Sequence, residues 1–331
     1  MKCMKVPLTE AETIKKKLLG SKLIDNNYKP EKDKNYIYYP VINGILGYST
    51  VQKQLERKTP KDLRSALKNI LSKNEIIHLN TSFDTIGNIA VLEIDKELEK
   101  KGRLIAKELL KINKNIKTVV EKKGGHEGEY RIQKYMFLAG ENNFETIHKE
   151  NGIKVKLDIS KVYFSPRIST ERLRIAKQVK HNEKILVMFS GVGIYSFVIS
   201  KNSKAKEITC IELNPDGANY CHENIVLNKT KNIISYCGDV RDIIPKFKKI
   251  KYDRILMPLP KDSLKFLDLA SKVIKNQGII HIYIFSEENE IEEKINYIKK
   301  ILKCKLIKFI KVGQQNPKVW RYCIDIKVVN L

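Results

Sequence analysis

The second half of the chain alternates short apolar runs with amphipathic segments. The apolar runs predict strands at 184–189, 207–212, 233–237, 253–257 and 278–285. The amphipathic segments predict helices between them, notably at 215–228, 263–275 and 289–303. Strands that are apolar on both faces require a sheet covered on both sides, as in parallel α/β folds. Two more strands, at 305–312 and 319–329, flank GQQNPK and predict an antiparallel hairpin that closes a Rossmann-like sheet.

The first half of the chain has a different pattern. Residues 10–19 predict an amphipathic helix ended by Gly20, and 35–41 predict a short aromatic strand. Charged residues around Thr59 indicate a linker. Beyond it, strands at 86–94, 116–120 and 130–140, a helix at 96–110 and a turn at 124–128 predict an α+β module. We therefore expect three domains, at 1–60, 61–157 and 158–331.

Charge is the compositional feature that bears most on function. The 331 residues include 63 Lys plus Arg against 38 Asp plus Glu, a formal net charge of +25. AT-rich codon usage would raise Lys, but it would raise Glu as well, so a positive excess remains. Neutralised phosphates release counterions, so this excess favours a nucleic acid partner. No apolar run reaches the roughly 20 residues of a membrane span, and the first residues do not resemble a signal peptide. A cytoplasmic protein is therefore expected.

The cysteines and histidines do not predict a metal site. The six cysteines are scattered, and none forms a C-x-x-C pair or a tight cluster with histidine. Neither zinc nor a disulfide scaffold is therefore expected.

A glycine-containing loop follows the strand at 184–189. Its residues Phe189, Gly191 and Gly193 lie where a helix begins, and glycine lets backbone pass close to a ligand. An isolated G-x-G also occurs in ordinary tight turns. In the dinucleotide fingerprint a third glycine marks close packing of helix on strand, but Ser196 occupies that position here.

Two acidic residues follow the next strands along the chain. Glu212 ends the second strand, about 20 residues after the loop, where a ribose hydroxyl acceptor belongs in such folds. Asp239 ends the third strand, where it can accept from an adenine amino group or cap the following helix. Together with the loop, this pair suits an adenosine bound without a pyrophosphate.

The fourth strand ends in Met257-Pro258-Leu259-Pro260. Many nucleic acid methyltransferases carry Asn-Pro-Pro-aromatic here, and that motif holds the target base. A rigid turn that ends the strand is an equally good interpretation of Pro258 and Pro260. The missing Asn argues against chemistry on an exocyclic amine.

These segments resemble the archaeal and eukaryotic tRNA (guanine-N1)-methyltransferase family, which acts on guanosine 37 beside the anticodon. The most specific part is GEYR, LAGE, ETIHKENG and KVYFSPRISTER within 128–172. FSGVG, IELNP, MPLP and the closing VWRYCIDIKV extend it over the chain. The resemblance implies S-adenosylmethionine as cofactor and tRNA as partner. It also implies a monomer without an obligatory protein partner, and a small N-terminal domain that contacts the tRNA.

The resemblance also implies roles for individual residues. Glu171 would be the general base that removes the N1 proton, and Arg131 would stabilise charge on O6. Without the surrounding motif, Glu171 would be an acidic first-turn residue and Arg131 a solvated or phosphate-binding one. Beside the cofactor, the resemblance places Arg172, Tyr163, Phe164, Leu213 and Val240.

The chain departs from the family pattern at two positions. Val187 stands where an acidic residue commonly precedes the loop, and Pro258 stands where Asn is common. The second departure suggests a relaxed pocket, which would also suit a tricyclic wyosine intermediate at the same nucleotide. Two alternatives remain open, namely a tRNA-binding protein that has lost catalysis and a dinucleotide-dependent oxidoreductase. The retained Glu171, Glu212 and Asp239 count against the first, and Ser196 counts against the second.

Overall fold

The computed structural model describes residues 1–44, 47–58, 60–247 and 250–329. Thr59, in the predicted linker, lies outside them. The chain forms two compact units, residues 1–77 and 78–331. The predicted boundaries at 61 and 158 stay a prediction. Among the described residues, no helix is both long enough and apolar enough to cross a membrane.

The first unit is a small sheet with a helix packed on it. Its strands pair in the order β2-β3-β1-β4. They are β1 Lys2–Pro7, β2 Glu31–Lys32, β3 Tyr36–Pro40 and β4 Thr50–Gln52, and the helices are α1 Ala11–Gly20, α2 Leu63–Leu67 and α3 Lys73–Ile77. The apolar face of α1, Ile14 and Leu18, packs on Met4, Val6 and Tyr39. Helix α1 and strand β3 match the predicted segments, whereas β1 was not predicted.

The second unit begins with a four-stranded sheet in the order β5-β6-β7-β8. Its elements are β5 Asp84–Ile86, β6 Ile89–Leu92, β7 Thr118–Glu127, β8 Ile132–Gly140 and helix α4 Gly102–Ile112, which follows a 3-10 segment at Lys96–Lys101. Helix α4 buries Ile105, Ala106 and Leu109. This is the predicted α+β arrangement.

Two details of this sheet differ from the prediction. The single strand expected at 86–94 is a tight hairpin, because Gly87 has a φ of 57° and breaks the extended backbone. A Cβ at Gly87 would also collide with Thr146. The turn expected at 124–128 is wrong as well. Strand β7 continues to Glu127 through an irregularity in its pairing with β8, and the chain turns at 128–131.

A hairpin and a seven-stranded sheet complete the unit. The hairpin consists of β9 Glu145–Glu150 and β10 Ile153–Asp158 and was not predicted. The sheet strands are β11 Lys184–Met188, β12 Glu207–Glu212, β13 Ile233–Cys237, β14 Tyr252–Met257, β15 Ile274–Ser286, β16 Cys304–Gln314 and β17 Trp320–Val328. The helices are α5 Ser169–Gln178, α6 Ile194–Asn202, α7 Pro215–Leu227, α8 Val240–Ile243, α9 Leu267–Ser271 and α10 Ile291–Ile301.

The large sheet has the order β13-β12-β11-β14-β15-β17-β16. The first five strands are parallel, and β17 and β16 are antiparallel to their neighbours. This confirms the predicted Rossmann-like α/β sheet with its closing hairpin. The helix expected at 263–275 is shorter, a 3-10 turn at Ser263–Phe266 followed by α9. It ends early because Ile274 already pairs with Tyr252 in the sheet.

Candidate functional site

A cavity opens beside the carboxyl ends of β11, β14 and β15, where ligands bind in open α/β sheets. Seven residues predicted for the site contribute to its lining, and they are Tyr163, Phe164, Arg172, Phe189, Gly191, Pro258 and Pro260. Ser165, Ile168, Ser190, Val192, Ile194, Tyr195, Tyr283 and Arg321 complete it. The other predicted residues lie outside this lining, and they are Arg131, Glu171, Gly193, Glu212, Leu213, Asp239 and Val240.

The loop after β11 holds a strained backbone. Phe189, Gly191 and Gly193 have φ values of 58°, 55° and 83°. A bulky residue such as Phe in the left-handed region is an outlier, and such strain concentrates at functional sites. At Gly191 the nearest atom to an added Cβ would be the Tyr163 carbonyl oxygen at 3.8 Å, so this backbone faces open space. The loop can therefore admit a ligand against its main chain.

Gly193 has a different reason to be glycine. A Cβ there would lie 2.6 Å from Cys221 Sγ and 2.8 Å from Phe197 Cε2. Close packing of α6 on the sheet is also seen at Ser196, which is fully buried and accepts a hydrogen bond from Cys210 Sγ at 2.9 Å. Serine thus fits where the dinucleotide fingerprint carries its third glycine.

Glu212 connects the end of β12 to the loop through hydrogen bonds. Its carboxylate accepts from the backbone amides of Gly191 at 2.6 Å and Asn214 at 2.8 Å. Burial raises the pKa of Glu212, although the amides of Asn214, Gly191 and Leu213 oppose the shift. A carboxylate has about four lone-pair positions, so capacity for a ribose hydroxyl remains. The open loop and this acceptor fit an adenosine cofactor.

Asp239 caps the helix that follows β13. Its side chain accepts from the Arg241 backbone amide at 2.7 Å and from Arg241 Nε at 3.0 Å. These hydrogen bonds lower the pKa of Asp239. Val240 is the buried first residue of α8. The capping role is therefore observed, and a contact of Asp239 with adenine stays a prediction.

Glu171 lies in the first turn of α5 and is almost fully buried. Its Oε1 accepts from Tyr283 Oη at 2.7 Å and from Arg174 Nη2 at 2.8 Å, and its Oε2 accepts from Arg174 Nε at 2.6 Å. Tyr283 lines the cavity. The Glu171 carboxylate is therefore not part of the cavity lining but is hydrogen-bonded to Tyr283, which is. The Arg174 guanidinium binds the same carboxylate in a bidentate manner.

A buried charge network continues from Arg174 through the sheet. Arg174 Nη1 donates to Asp325 Oδ2 at 2.7 Å, and Asp325 Oδ1 lies 2.6 Å from His281 Nδ1. His281 Nε2 lies 2.6 Å from Arg254 Nη1, and Arg254 pairs with Glu183. Burial would raise the pKa of Asp325, but His281 and Arg174 outweigh it and hold that pKa well below its usual range.

Three potential metal ligands, His281, Cys323 and Asp325, meet within this network. Arg174 and Arg254 already contact Asp325 and His281. Two adjacent guanidinium charges repel a cation, so we assign the group to the charge network rather than to a metal.

Arg172 is fully buried and has a carboxylate partner. Its Nε donates to Glu150 Oε1 at 2.6 Å, and its Nη1 and Nη2 donate to the Ser165 carbonyl at 3.3 and 3.2 Å. Its guanidinium carbon lies 5.8 Å from the Phe164 ring centroid. Arg172 therefore fixes the segment that forms one cavity wall. Its contact with the cofactor stays a prediction.

Arg131 lies beside Tyr163 at the edge of the cavity. It has a φ of 55°, and its guanidinium carbon is 5.4 Å from the Tyr163 ring centroid. Burial lowers the pKa of Arg131, and the nearby charge of Arg321 lowers it further. His126 also packs on Tyr163, with 4.9 Å between the ring centroids, and burial lowers the pKa of His126 to about 4.

Pro258 and Pro260 belong to a fixed turn that lines the cavity. Ser263 Oγ donates to the carbonyls of Met257 at 2.8 Å and Leu259 at 2.9 Å, and the Phe285 amide donates to the Pro260 carbonyl at 3.1 Å. The rigid-turn interpretation is therefore observed. A contact of this turn with a target base stays a prediction.

Among the residues of this site to which the sequence assigned no role, Arg174, Tyr283, Arg321 and Asp325 make its main polar contacts. Arg321 and Asp325 lie in the VWRYCIDIKV segment, which carried the resemblance but indicated no side-chain role. The pairing of β15 with β17 places Tyr283 beside the strand of Arg321 and Asp325, and Arg174 reaches Asp325 from α5.

Comparisons with known proteins agree with this geometry. The TRM5/TYW2 methyltransferase domain model matches residues 146–310, the TYW2 N-terminal domain model 63–143 and the tRNA methyltransferase 5 N-terminal domain model 3–49. The tRNA (guanine(37)-N(1))-methyltransferase Trm5b of Pyrococcus abyssi is 39% identical over 87% of this chain and 85% of its own.

Two solved structures extend the comparison. The complex of aTrm5 with tRNALeu is 30% identical, covers 100% of both chains and superposes with a TM-score of 0.82. The complex of Methanocaldococcus jannaschii TYW2 with AdoMet is 28% identical over 76% of this chain and 100% of its own, with a TM-score of 0.58. The family models, the relatives and the solved structures agree in fold, and the chain belongs to the Trm5/TYW2 methyltransferase family.

Proposed function

We propose that the protein transfers the methyl group of S-adenosylmethionine to N1 of guanosine 37 in tRNA, with Glu171 as general base and Arg131 at O6. One observation carries the residue assignment. The Glu171 carboxylate is buried, is held from behind by Arg174, and is joined to the cavity through Tyr283. A carboxylate in this arrangement is positioned to take a proton from a base that enters beside Pro258 and Pro260.

The chemistry requires such a base. Guanine N1 carries a proton, and its lone pair is not available until that proton leaves. S-adenosylmethionine, when bound, supplies a methyl group on a positively charged sulfur. Glu171 would accept the proton while Arg131 stabilises the charge that develops on O6.

Tyr283 raises a question about the path of the proton. Burial raises the pKa of Tyr283 well above its usual value, so its phenol stays protonated. A proton could therefore pass through Tyr283 Oη only in concert, as the phenol gives its own proton to Glu171. If the proton passes this way, Tyr283→Phe should lower kcat about as much as Glu171→Gln. A much smaller loss would indicate direct transfer to the carboxylate.

The cofactor assignment rests on the loop and the two acidic residues. Gly191 offers open backbone, Glu212 retains acceptor capacity for the ribose, and Asp239 would accept from the adenine amino group. Leu213 and Val240 follow the two acidic residues and would line the adenosine. Family membership leaves the oxidoreductase alternative without support.

The positive charge of the chain supports tRNA as substrate. An excess of 25 positive charges favours contacts with phosphates. We also infer that the protein acts as a monomer in the cytoplasm. Sedimentation equilibrium at micromolar concentration tests the first part, and a dimer mass would contradict it.

The deciding experiment is methyl transfer from labelled S-adenosylmethionine to a tRNA transcript with guanosine or adenosine at position 37. We expect label on N1 of guanosine only, and its loss in Glu171→Gln. Glu223→Gln is the matched control, because this glutamate is exposed on α7 and pairs with Lys156 rather than with a residue of the cavity. Tight tRNA binding without transfer by the unaltered protein would instead support an inactive binding protein.

A second substrate is part of the proposal because Pro258 replaces the expected Asn. The same assay on tRNA that carries the tricyclic wyosine intermediate at position 37 tests it. Absence of transfer to that tRNA would remove dual specificity and leave guanosine methylation intact.

A further inference from the structure

Most arginines of the described chain are either exposed or paired with a carboxylate. The paired ones are Arg167, Arg172, Arg174, Arg241 and Arg254. Arg57, Arg64 and Arg103 are exposed. Arg131 and Arg321 are half-buried, and no carboxylate among the described residues lies within ion-pair distance of either. Asp262 acts on Arg131 only from beyond ion-pair distance. A partly buried charge without a paired carboxylate is unfavourable, so these two positions indicate an anionic ligand.

Arg321 uses only part of its hydrogen-bonding capacity. Its Nη2 donates to Tyr163 Oη at 2.8 Å, and its guanidinium carbon lies 5.4 Å from the Phe285 ring centroid. Its Nε is buried and has no hydrogen-bond partner among the described residues. Because Arg321 lines the cavity, its Nη1, which is not buried and makes no hydrogen bond within the described part of the chain, is available to a molecule that enters there.

The position of β17 in the sheet separates Arg321 from the cofactor. Gly191, Glu212 and Asp239 follow β11, β12 and β13, on one side of β14. Arg321 lies on β17, on the other side of β14 and beyond β15. Pro258 and Pro260 at the end of β14 stand between the two groups, so a target nucleotide that enters beside these prolines and away from the cofactor would lie on the Arg321 side.

We propose that Arg321 binds a phosphate oxygen of the target nucleotide and so holds that nucleotide in the cavity before methyl transfer. This inference rests on the proposed function. A phosphate carries its negative charge at all times, so it compensates Arg321 in the ground state. Charge on guanine O6 develops only as N1 loses its proton, and Arg131, which packs on the Tyr163 ring, is the residue assigned to it.

The test compares Arg321→Met with the unaltered protein in steady-state methylation and in tRNA binding at several salt concentrations. We expect KM for tRNA to rise about 10- to 100-fold with kcat nearly unchanged, because the lost interaction is made equally in ground and transition states. The slope of log Kd against log salt should fall by about one. Arg321→Lys should keep most of that slope, and cofactor affinity should not change.

Two further variants serve as controls for charge and for packing. Lys299→Met removes one exposed positive charge from α10, away from the cavity, and should leave KM and slope unchanged. Tyr163→Phe removes the hydroxyl that Arg321 contacts but keeps the charge of Arg321. If this variant reproduced both the KM change and the slope change, Arg321 would only position Tyr163 and the inference would be wrong.

Two other results for Arg321→Met would show that Arg321 does not bind a phosphate. A fall in kcat with unchanged KM would place Arg321 at developing charge instead of phosphate, and weaker cofactor binding would place it at the cofactor carboxylate. Either result overturns the inference. Should Arg321→Met fail to fold, Arg321→Gln keeps a donor for Tyr163, lacks the charge and carries the same expectations. Failure of the unaltered protein to methylate guanosine 37 would instead refute the proposed function.

Discussion

The two sides of the cavity satisfy their polar groups in different ways. On the cofactor side, the loop 189–193, Glu212 and Asp239 come from consecutive strand ends, and backbone amides bind both carboxylates, with the Arg241 side chain added at Asp239. On the target side, Arg131, Glu171 and Arg321 come from distant parts of the chain. There, side chains hold side chains, and two cations lack carboxylate partners among the described residues.

This difference has a physical consequence. Backbone amides are fixed by the strands and helices that carry them, so the cofactor side is preorganised by the fold itself. The target side depends on the Arg174–Asp325 network for its geometry and on an incoming anion for its charge balance. We therefore expect substitutions in Glu171 and the network behind it to affect catalysis or stability strongly, and substitution of Glu212 to act mainly on cofactor affinity.

The largest expected effect is on the target side, at Glu171. Glu171→Gln keeps the size of the side chain but removes the base, so we expect kcat to fall about 10²- to 10⁴-fold. Cofactor and tRNA affinities should change little. Single-turnover methylation with excess enzyme measures the step directly. A rate within a factor of about three of the unaltered protein would exclude Glu171 as the base.

Asp325→Asn should have the next largest effect because it breaks a buried ion network. Removing the carboxylate charge leaves Arg174 with one carboxylate partner instead of two and deprives His281 Nδ1 of its charged acceptor, at a cost of about 3–5 kcal/mol in the free energy of unfolding. Denaturant unfolding at pH 7 measures it. Asp268→Asn, at an exposed position on α9, should stay within about 0.5 kcal/mol.

The same variant predicts a pH dependence. The pKa of Asp325 is lowered in the folded protein, so the unfolded chain binds the proton more readily. The stability from Asp325 is then fully present above the unfolded carboxyl pKa of about 3.9, and is lost as pH falls toward the folded value. The difference between the two proteins should therefore be constant from about pH 8 to about pH 5 and shrink below about pH 4. A difference that grows on acidification would contradict this assignment.

The contrast between the two sides also explains what the sequence could predict. The sheet and the cofactor side were predictable, because apolar strands and the residues directly after them are local patterns, as at Gly191 and Glu212. The Glu171 environment was not, because Tyr283 and Asp325 come from the paired strands β15 and β17, far along the chain from the helix α5 that carries Glu171 and Arg174. The apolar run IGNIAVLEI predicts one strand, whereas the hairpin at 84–92 depends on the positive φ of Gly87, which a hydrophobic pattern does not show.

On the cofactor side, Glu212→Gln should weaken the binding of S-adenosylmethionine about 10- to 100-fold. The amide replaces one acceptor by a donor that faces the backbone amides of Gly191 or Asn214, and hydrogen bonds to charged groups contribute about 1.5–3 kcal/mol each. Calorimetric titration measures the change. Glu207→Gln, at the other end of β12, is the control. A loss of tRNA affinity as large as the loss of cofactor affinity would contradict a separate cofactor side.

The smallest expected difference is the one between two glycines of the same loop. Gly193→Ala should lower the free energy of unfolding by about 2–4 kcal/mol, because its Cβ would meet Cys221 and Phe197 in addition to the cost of a left-handed backbone. Gly191→Ala has only that backbone cost, about 1–2 kcal/mol, because its Cβ would face open space. In the proposed function the cofactor approaches through that open space. For the same loss in the free energy of unfolding, Gly191→Ala should therefore lose more cofactor affinity than Gly193→Ala. If the ratio of lost cofactor affinity to lost stability were equal in the two variants, the loop would be a structural turn that does not contact the cofactor.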